Sequence, residues 1–274
     1  MKPRRISIVI TVVVLVAISI VMIFPFYWML ISSFKPIGRI FTVPLDVFPR
    51  EFTLANYKKL ITQTPFLRWY FNSIVITAAY TVLALFFATL AGFGFAKYDF
   101  KGRNILLVIV LGSMMIPLHS LVIPLFMLLI RLGWVNTYRG VVIPFAANAF
   151  GIFYITQYLT TVPSDLIDAG RIDGCSEFGI YRMIILPLLK PALGVLTIYF
   201  AMTSWNWFLW PLVVMRAESL FPLNVGLSTF ISDYRQRYDE LMAASVLCVV
   251  PIIALFLSMQ KQFVSGLTAG SVKQ

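Results

Sequence analysis

Charge is what this sequence has least of. Only 12% of its 274 residues are Asp, Glu, Lys or Arg. A soluble surface carries roughly 25–35% charged residues, so a soluble globular body is excluded. An extended basic surface for nucleic acid is excluded too, since the net charge of +11 comes from only 22 Lys and Arg against 11 Asp and Glu. Histidine occurs once, at His119, which rules out a multi-histidine metal site. The two cysteines, Cys175 and Cys248, form neither a CxxC pair nor a disulfide framework. No phosphate loop of the GxxxxGK(S/T) type occurs, and the stretch from Gly266 to Lys273 has the wrong spacing for one, so the chain does not hydrolyse ATP by itself. HExxH is missing as well, which removes that zinc-protease pattern.

What the sequence has is hydrophobicity. Sixty per cent of the residues are apolar and the mean hydropathy is +0.89. A spanning helix needs about 20 mostly apolar residues. Six runs without a charged residue meet that need: 6–34, 69–96, 104–130, 140–164, 191–215 and 241–260. They predict an all-α integral membrane protein with six transmembrane helices in one domain, 1–274. The runs are too long for transmembrane strands and lack a period of two. The first comes after Lys2, Arg4 and Arg5, as a signal peptide would, but its length exceeds a 7–15-residue signal core and it lacks a small-x-small cleavage site, so it is read as a retained span.

Orientation is not decided by counting charges. Six spans put both ends on one side, and Lys and Arg then divide 11 against 11. Local density favours both ends inside: three basic residues and no acid flank the N-terminus, and the 97–103 loop holds three more. No acidic residue lies within any of the six runs. A charge at the bilayer centre costs about 2.5–3.5 kcal/mol and is kept only where function needs it. Its absence argues against self-powered, ion-coupled transport and points to energy from another subunit. An intramembrane serine protease also finds no support. Ser113 and His119 share the third run, where six residues advance about 600° and put them on different faces of one helix.

Four acids, Asp165, Asp168, Asp173 and Glu177, crowd into the stretch between the fourth and fifth runs. Ser164 is placed to cap a helix, and Asp165 suits its first turn. Asp168 and Arg171 can pair at i, i+3. Gly174 is a natural helix stop, Ser176 can cap a second short helix, and Pro187 and Pro191 kink or delimit the entry to the fifth span. This predicts a helix–turn–helix at the membrane surface. Physics alone leaves two readings open, a solvated connection and a docking element.

The same stretch resembles the EAA motif of bacterial ABC importer permeases, roughly EAAxxDGA, an aromatic, then LPLxxP. It reads Asp168-Ala169-Gly170-Arg171-Ile172-Asp173-Gly174-Cys175, then Tyr181, then Leu186-Pro187-Leu188 and Pro191. The spacing is kept; Asp168, Gly170 and Cys175 depart from Glu, Ala and Ala. Other stretches are similar to the carbohydrate branch of that family, the smaller maltose permease subunit. They are Ser32-Ser33-Phe34-Lys35, Thr53-Leu54-Ala55-Asn56-Tyr57, Asn72-Ser73, Trp205-Asn206-Trp207-Phe208-Leu209-Trp210-Pro211-Leu212 and Gly266-Leu267-Thr268-Ala269-Gly270 with Val272-Lys273. Trp207 stands where an acid is common in the family.

The resemblance implies an ABC type I importer permease fold with a cytoplasmic coupling helix between spans 4 and 5, and a multi-pass protein of the bacterial inner membrane with both termini cytoplasmic. It implies a non-catalytic subunit with no cofactor or metal of its own. The partners it implies are a second homologous permease, two ABC ATPase subunits that bind ATP and Mg, and an extracytoplasmic solute-binding protein that meets the loops at 36–68 and 216–240. The loop at 164–182, with Asp168, Ala169, Gly170, Arg171, Asp173, Gly174, Cys175 and Tyr181, would couple ATP hydrolysis to transport of a sugar or oligosaccharide. The tail, 261–274, has a polar, helix-poor composition and is either a second ATPase contact or a frayed terminus. Polar groups within the spans, His119, Asn148, Gln157, Trp205 and Asn206, either line the pathway or bond between helices. Phe41, Trp69, Tyr234 and Tyr238 serve equally well as interfacial anchors. Two alternatives remain: the same architecture moving a non-sugar solute such as glycerol phosphate, and a membrane scaffold or receptor subunit that docks without transporting.

Overall fold

The computed structural model describes residues 2–44, 46–232 and 235–269, of which 2–6, 37, 232, 235, 236 and 261–269 are described by backbone alone. Helices α1 (Lys2–Ser32), α2 (Ala55–Gln63) and α3 (Phe66–Lys97) come first. Next are α4 (Arg103–Ser113), α5 (Leu118–Leu132), α6 (Tyr138–Val142) and α7 (Ala149–Thr160). Between the fourth and fifth apolar runs lie α8 (Asp165–Ile172) and α9 (Glu177–Ile180), a π-helical turn over Tyr181–Ile185, and α10 (Leu186–Leu188). The chain finishes with α11 (Lys190–Trp205), α12 (Leu209–Val214), α13 (Leu223–Ser228), a two-strand ribbon of β1 (Ile231–Ser232) and β2 (Arg235–Gln236), and α14 (Tyr238–Ala269). The ribbon is antiparallel, with Ile231 opposite Gln236.

Three helices, at Ser7–Ser32, Phe66–Lys97 and Tyr238–Gln260, are long and apolar enough to cross a membrane singly. The other three apolar runs are not the unbroken helices expected. Each is a bent pair that is long and apolar enough only when taken together: α4 with α5 at 102°, α6 and its 3-10 extension with α7 at 41°, and 177–188 with α11 at 79°. Proline accounts for much of this, because it lacks an N–H and clashes with the preceding turn. Pro117 sits in the first break, Pro144 in the turn before the second and Pro187 just before the third. The break also removes the periodicity argument about Ser113 and His119, which lie on different helices; Ser113 Oγ donates to the Val110 carbonyl at 2.6 Å. The tail departs from expectation too. Backbone 261–269 continues α14 as helix, while 270–274, with Gly270, Val272 and Lys273, lies outside the described residues, as does Tyr234.

The chain folds as two compact units. The first takes 1–67 and 226–251. Every α1 side chain from Ser7 to Phe26 is exposed. Just beyond α1 the chain is pinned by Asn56, which is buried and donates to the carbonyls of Ser33 at 2.9 Å and Lys35 at 2.8 Å. Tyr57 meets Ser33 Oγ at 2.8 Å, and Phe34 stacks on Phe52 at 4.5 Å. Lys35 is buried, donates to the Asp46 carbonyl and lies 4.3 Å from the Trp28 ring centroid. The Ser-Ser-Phe-Lys and Ala-Asn-Tyr stretches thus form one joint.

The second unit takes 68–225 and 252–274. Its core packs α3, α7, α11 and the 180–189 segment through Ile76, Ala84, Ala88, Ile155, Leu159, Ile185, Leu196 and Phe200. Small residues let these helices approach closely. A Cβ on Gly92 would come within 2.5 Å of Ile155, and one on Gly151 within 2.6 Å of Phe200. Asn72 and Ser73 tie α3 to the 216–223 stretch: Asn72 donates to the carbonyls of Ser219 and Phe221, and Ser73 accepts from Leu223 N–H at 2.7 Å.

Candidate functional site

Helix α8 ends as its sequence predicts. Gly174 adopts φ +79, a left-handed conformation that only glycine takes without strain. Its N–H donates to the Arg171 carbonyl at 3.0 Å, and Cys175 N–H to the Gly170 carbonyl at 2.9 Å. These two bonds make a complete Schellman cap and satisfy carbonyls the helix would leave bare. The N-terminal cap is different. Ser164 is itself helical and its side chain caps nothing; its carbonyl accepts from Ile167 and Asp168, and its hydroxyl faces Lys97 Nζ at 3.5 Å. Ser176 does cap α9, accepting from Gly179 N–H at 3.1 Å.

Arg171 organises the polar side of this loop. It pairs with Asp168 at 3.1 Å, the anticipated i, i+3 contact. Its stronger partner is Glu177, reached from Nε at 2.9 Å and from the second guanidinium arm at 3.4 Å. Tyr98 donates to the same carboxylate, and its ring centroid lies 5.8 Å from the guanidinium. The Arg171 pKa is held above its ordinary value, chiefly by the Glu177 hydrogen bond. That of Tyr98 is raised above 10.0 by burial first and by Glu177 second. Beneath this layer Lys97 Nζ donates to the Val162 carbonyl, and buried Tyr181 bonds Thr89 Oγ1 at 2.8 Å. A Cβ on Gly170 would meet Ile184 at 2.8 Å, so α8 lies flush on the segment after it. Asp165, Asp168, Ala169, Asp173 and the apolar Leu166, Ile172 and Phe178 are exposed. Ile172 is 86% and Phe178 64% exposed, so the loop presents apolar area as well as acids. Cys175 is half-buried.

A second feature sits where three of the chain's interruptions converge, wholly within 68–225. The gaps at 114–117, 146–148 and 206–208 surround a cavity of about 530 Å³. Its lining includes Tyr80, Asn148, Phe150, Tyr199, Thr203 and Trp207. Trp207 packs 4.6 Å from Tyr80 and 5.5 Å from Phe145, centroid to centroid. Asn148 caps α7 through Gly151 N–H at 3.0 Å and donates to the Tyr80 hydroxyl at 3.2 Å.

Of the polar residues expected along the pathway, Asn148 lies in this cavity. Trp205 is buried against Tyr70 at 5.8 Å, and its carbonyl accepts from Asn224 at 2.9 Å. Asn206 is exposed and donates to the Met202 carbonyl at 2.8 Å, while His119 and Gln157 are exposed outside the cavity. Tyr80, Tyr199 and Thr203 carried no signal in the sequence, since an aromatic or a threonine in an apolar run looks like packing. The available signal was Trp207, in a position the resemblance assigns to an acid. Of the expected anchors, Trp69 is buried with its indole N–H on the Glu218 carbonyl, and Phe41 meets Tyr238 edge-on at 5.1 Å. Among the described residues no cluster of three or more His, Cys, Asp or Glu could hold a metal ion.

Residues 82–268 match a family model described as binding-protein-dependent transport system inner membrane component. The chain is 42% identical over 259 residues to the arabinooligosaccharides transport system permease protein AraQ of Bacillus subtilis (strain 168), covering 93% of this chain and 92% of that protein. It is 33% identical over 273 residues to the maltodextrin transport system permease protein MdxG of the same organism, covering 98% of each. In fold it is similar to a chain of a bacterial ABC transporter involved in the import of the acidic polysaccharide alginate, with a TM-score of 0.87 at 24% identity, covering 95% of this chain and 98% of that one.

Proposed function

The chain belongs to the family of binding-protein-dependent transport system inner membrane components, and on that premise we propose that it forms half of the membrane pathway of an ATP-driven importer of a sugar or oligosaccharide. The relatives named for arabinooligosaccharide and maltodextrin transport support a saccharide. An anionic solute such as glycerol phosphate fits less well, because no charged side chain is among those lining the cavity at the helix breaks. The proposed setting is a bacterial cytoplasmic membrane crossed six times, counting each bent pair as one span, with both termini inside. A second permease would complete the pathway, an extracytoplasmic binding protein would deliver the solute, and two ATPase subunits would hold ATP and Mg.

The observation that carries this reading is the construction of the 164–182 loop. It is stiff and exposed at once. The Schellman cap, the Arg171–Glu177 pair and the Tyr181–Thr89 bond fix its shape, while Asp168, Asp173, Ile172 and Phe178 remain open to a partner. A rigid element transmits a displacement that a flexible linker would absorb. Closure of the ATPases on ATP would move α8, and the attached α7 and α11 would move with it. The acids offer charge for partner choice and the apolar pair offers area.

Two substitutions test this reading in the reconstituted transporter. Gly174→Pro cannot adopt φ +79 and loses the N–H bonded to Arg171. Asp168→Arg replaces the partner of Arg171 with a like charge. Each is expected to leave ATP hydrolysis measurable while solute uptake per ATP falls about tenfold or more. Normal uptake by either variant would count heavily against coupling through this loop.

A further inference from the structure

We infer that the cavity at the three helix breaks is a subsite for a neutral saccharide ring, carried by this subunit itself, with Trp207 as the stacking platform and the Tyr199 and Thr203 hydroxyls as hydrogen-bonding groups. The inference rests on the import reading and adds to it a specific site and ligand chemistry.

Broken helices expose backbone and polar groups that lipid cannot satisfy, so they persist at membrane depth only where they are buried in protein or line a cavity. Here three breaks meet at one cavity. Its volume of about 530 Å³ lies within the roughly 300–1,000 Å³ of small-molecule sites. The lining combines what a sugar requires. Trp207, Phe150 and Tyr199 supply π-faces, whose negative potential suits the C–H face of a pyranose or furanose ring, while the buried Tyr80 ring packs against Trp207 and Phe200. The hydroxyls of a sugar need donors and acceptors. Tyr80 already accepts from Asn148, which leaves its own O–H to donate. Tyr199 and Thr203 lie one turn apart on α11 and face the same space. Among the described residues neither hydroxyl has a hydrogen-bond partner, so both are free for a solute. None of the lining residues is charged, which selects a neutral saccharide over a uronic acid or a phosphate ester. Trp207 itself sits in the unwound link between α11 and α12, where its ring is set by the break and not by helical periodicity.

The test uses the complete transporter with its binding protein in proteoliposomes, and labelled arabinotriose and maltotriose as probes. Trp207→Ala is expected to lower arabinotriose uptake about tenfold, the scale of losing an aromatic anchor, while Trp207→Phe stays within about threefold. The paired variant Tyr199→Phe with Thr203→Ala leaves the stacking rings in place. It is expected to shift the arabinotriose-to-maltotriose ratio about fivefold, because the two sugars present their hydroxyls differently. Wild-type rates and ratio in all three variants would overturn the subsite. So would equal loss of both sugars in Trp207→Ala and Trp207→Phe, which marks a packing role, or loss of the second permease on purification, which marks the cavity as a subunit seat. Failure of the wild-type transporter to take up any saccharide would instead defeat the import reading, and the subsite with it.

Discussion

Asn56 carries more of the local structure than its size suggests. It is buried, and its amide is the donor for two backbone carbonyls, Ser33 and Lys35, at the turn leaving α1. Removing the amide leaves both oxygens without that donor in a buried place, at a cost of about 1–3 kcal/mol per unsatisfied group. Asn56→Ala is therefore expected to lower the thermal unfolding midpoint of the detergent-solubilised chain, with Thr62→Ala, an exposed residue bonded only within its own helix, close to wild type. Fluorescence-detected unfolding decides it, and equal midpoints for the two variants would remove Asn56 from the joint. The sequence placed this asparagine in a family-like stretch without giving it a task. Gly174 is the opposite case. A glycine after an amphipathic octet announces a left-handed cap, and the observed φ and paired hydrogen bonds agree with it.

At the scale of elements, the loop between α7 and α11 shows how far local rules reach. The Asp168–Arg171 pair, the Gly174 stop and the Ser176 cap obey i, i+3 spacing and capping chemistry, and all three are present. The Arg171–Glu177 pair crosses the turn, and Tyr98 comes from just beyond the end of α3, so neither has a spacing to announce it. Glu177→Gln removes the charge that Arg171 grips. Since the pair is exposed, the expected effect is modest, about a two- to fivefold fall in solute moved per ATP. A ratio unchanged from wild type would show that the pair is idle. The Tyr98 contribution has a defined pH sense. Its hydroxyl pKa is raised above 10.0 in the folded chain, so the protonated donor is the favoured form. Its contribution is fully present below about pH 10 and is lost only as pH rises through the raised value. The transport-to-hydrolysis difference between wild type and Tyr98→Phe is therefore expected to stay constant between about pH 6 and 9. A difference that varied across this range would assign the effect to another group.

For the whole molecule, the question is what it assembles with. The exposed flank of α1 is a large apolar surface, the open side of α8 and α9 mixes Asp168 and Asp173 with Ile172 and Phe178, and the sequence carries no phosphate loop. A mild detergent pull-down of the tagged chain from its native membrane is expected to recover an ABC ATPase and a second, distinct permease, identified by mass spectrometry. Recovery of the chain alone after crosslinking would favour a scaffold over an importer subunit.

Composition and short-range spacing were enough for the membrane setting, the helical class, the acid-free apolar runs and the loop's contacts other than the Ser164 cap, which does not form, because each depends on composition or on neighbours within four residues. The places where the apolar runs break follow from packing, since a proline permits a bend without setting its angle, and they are visible in the folded chain alone. Packing alone brought Tyr98 to Glu177 across 79 positions. It also gathered Tyr80, Asn148, Tyr199 and Trp207 around one cavity, because residues on separate helices share no pattern along the chain and meet only when the helices pack.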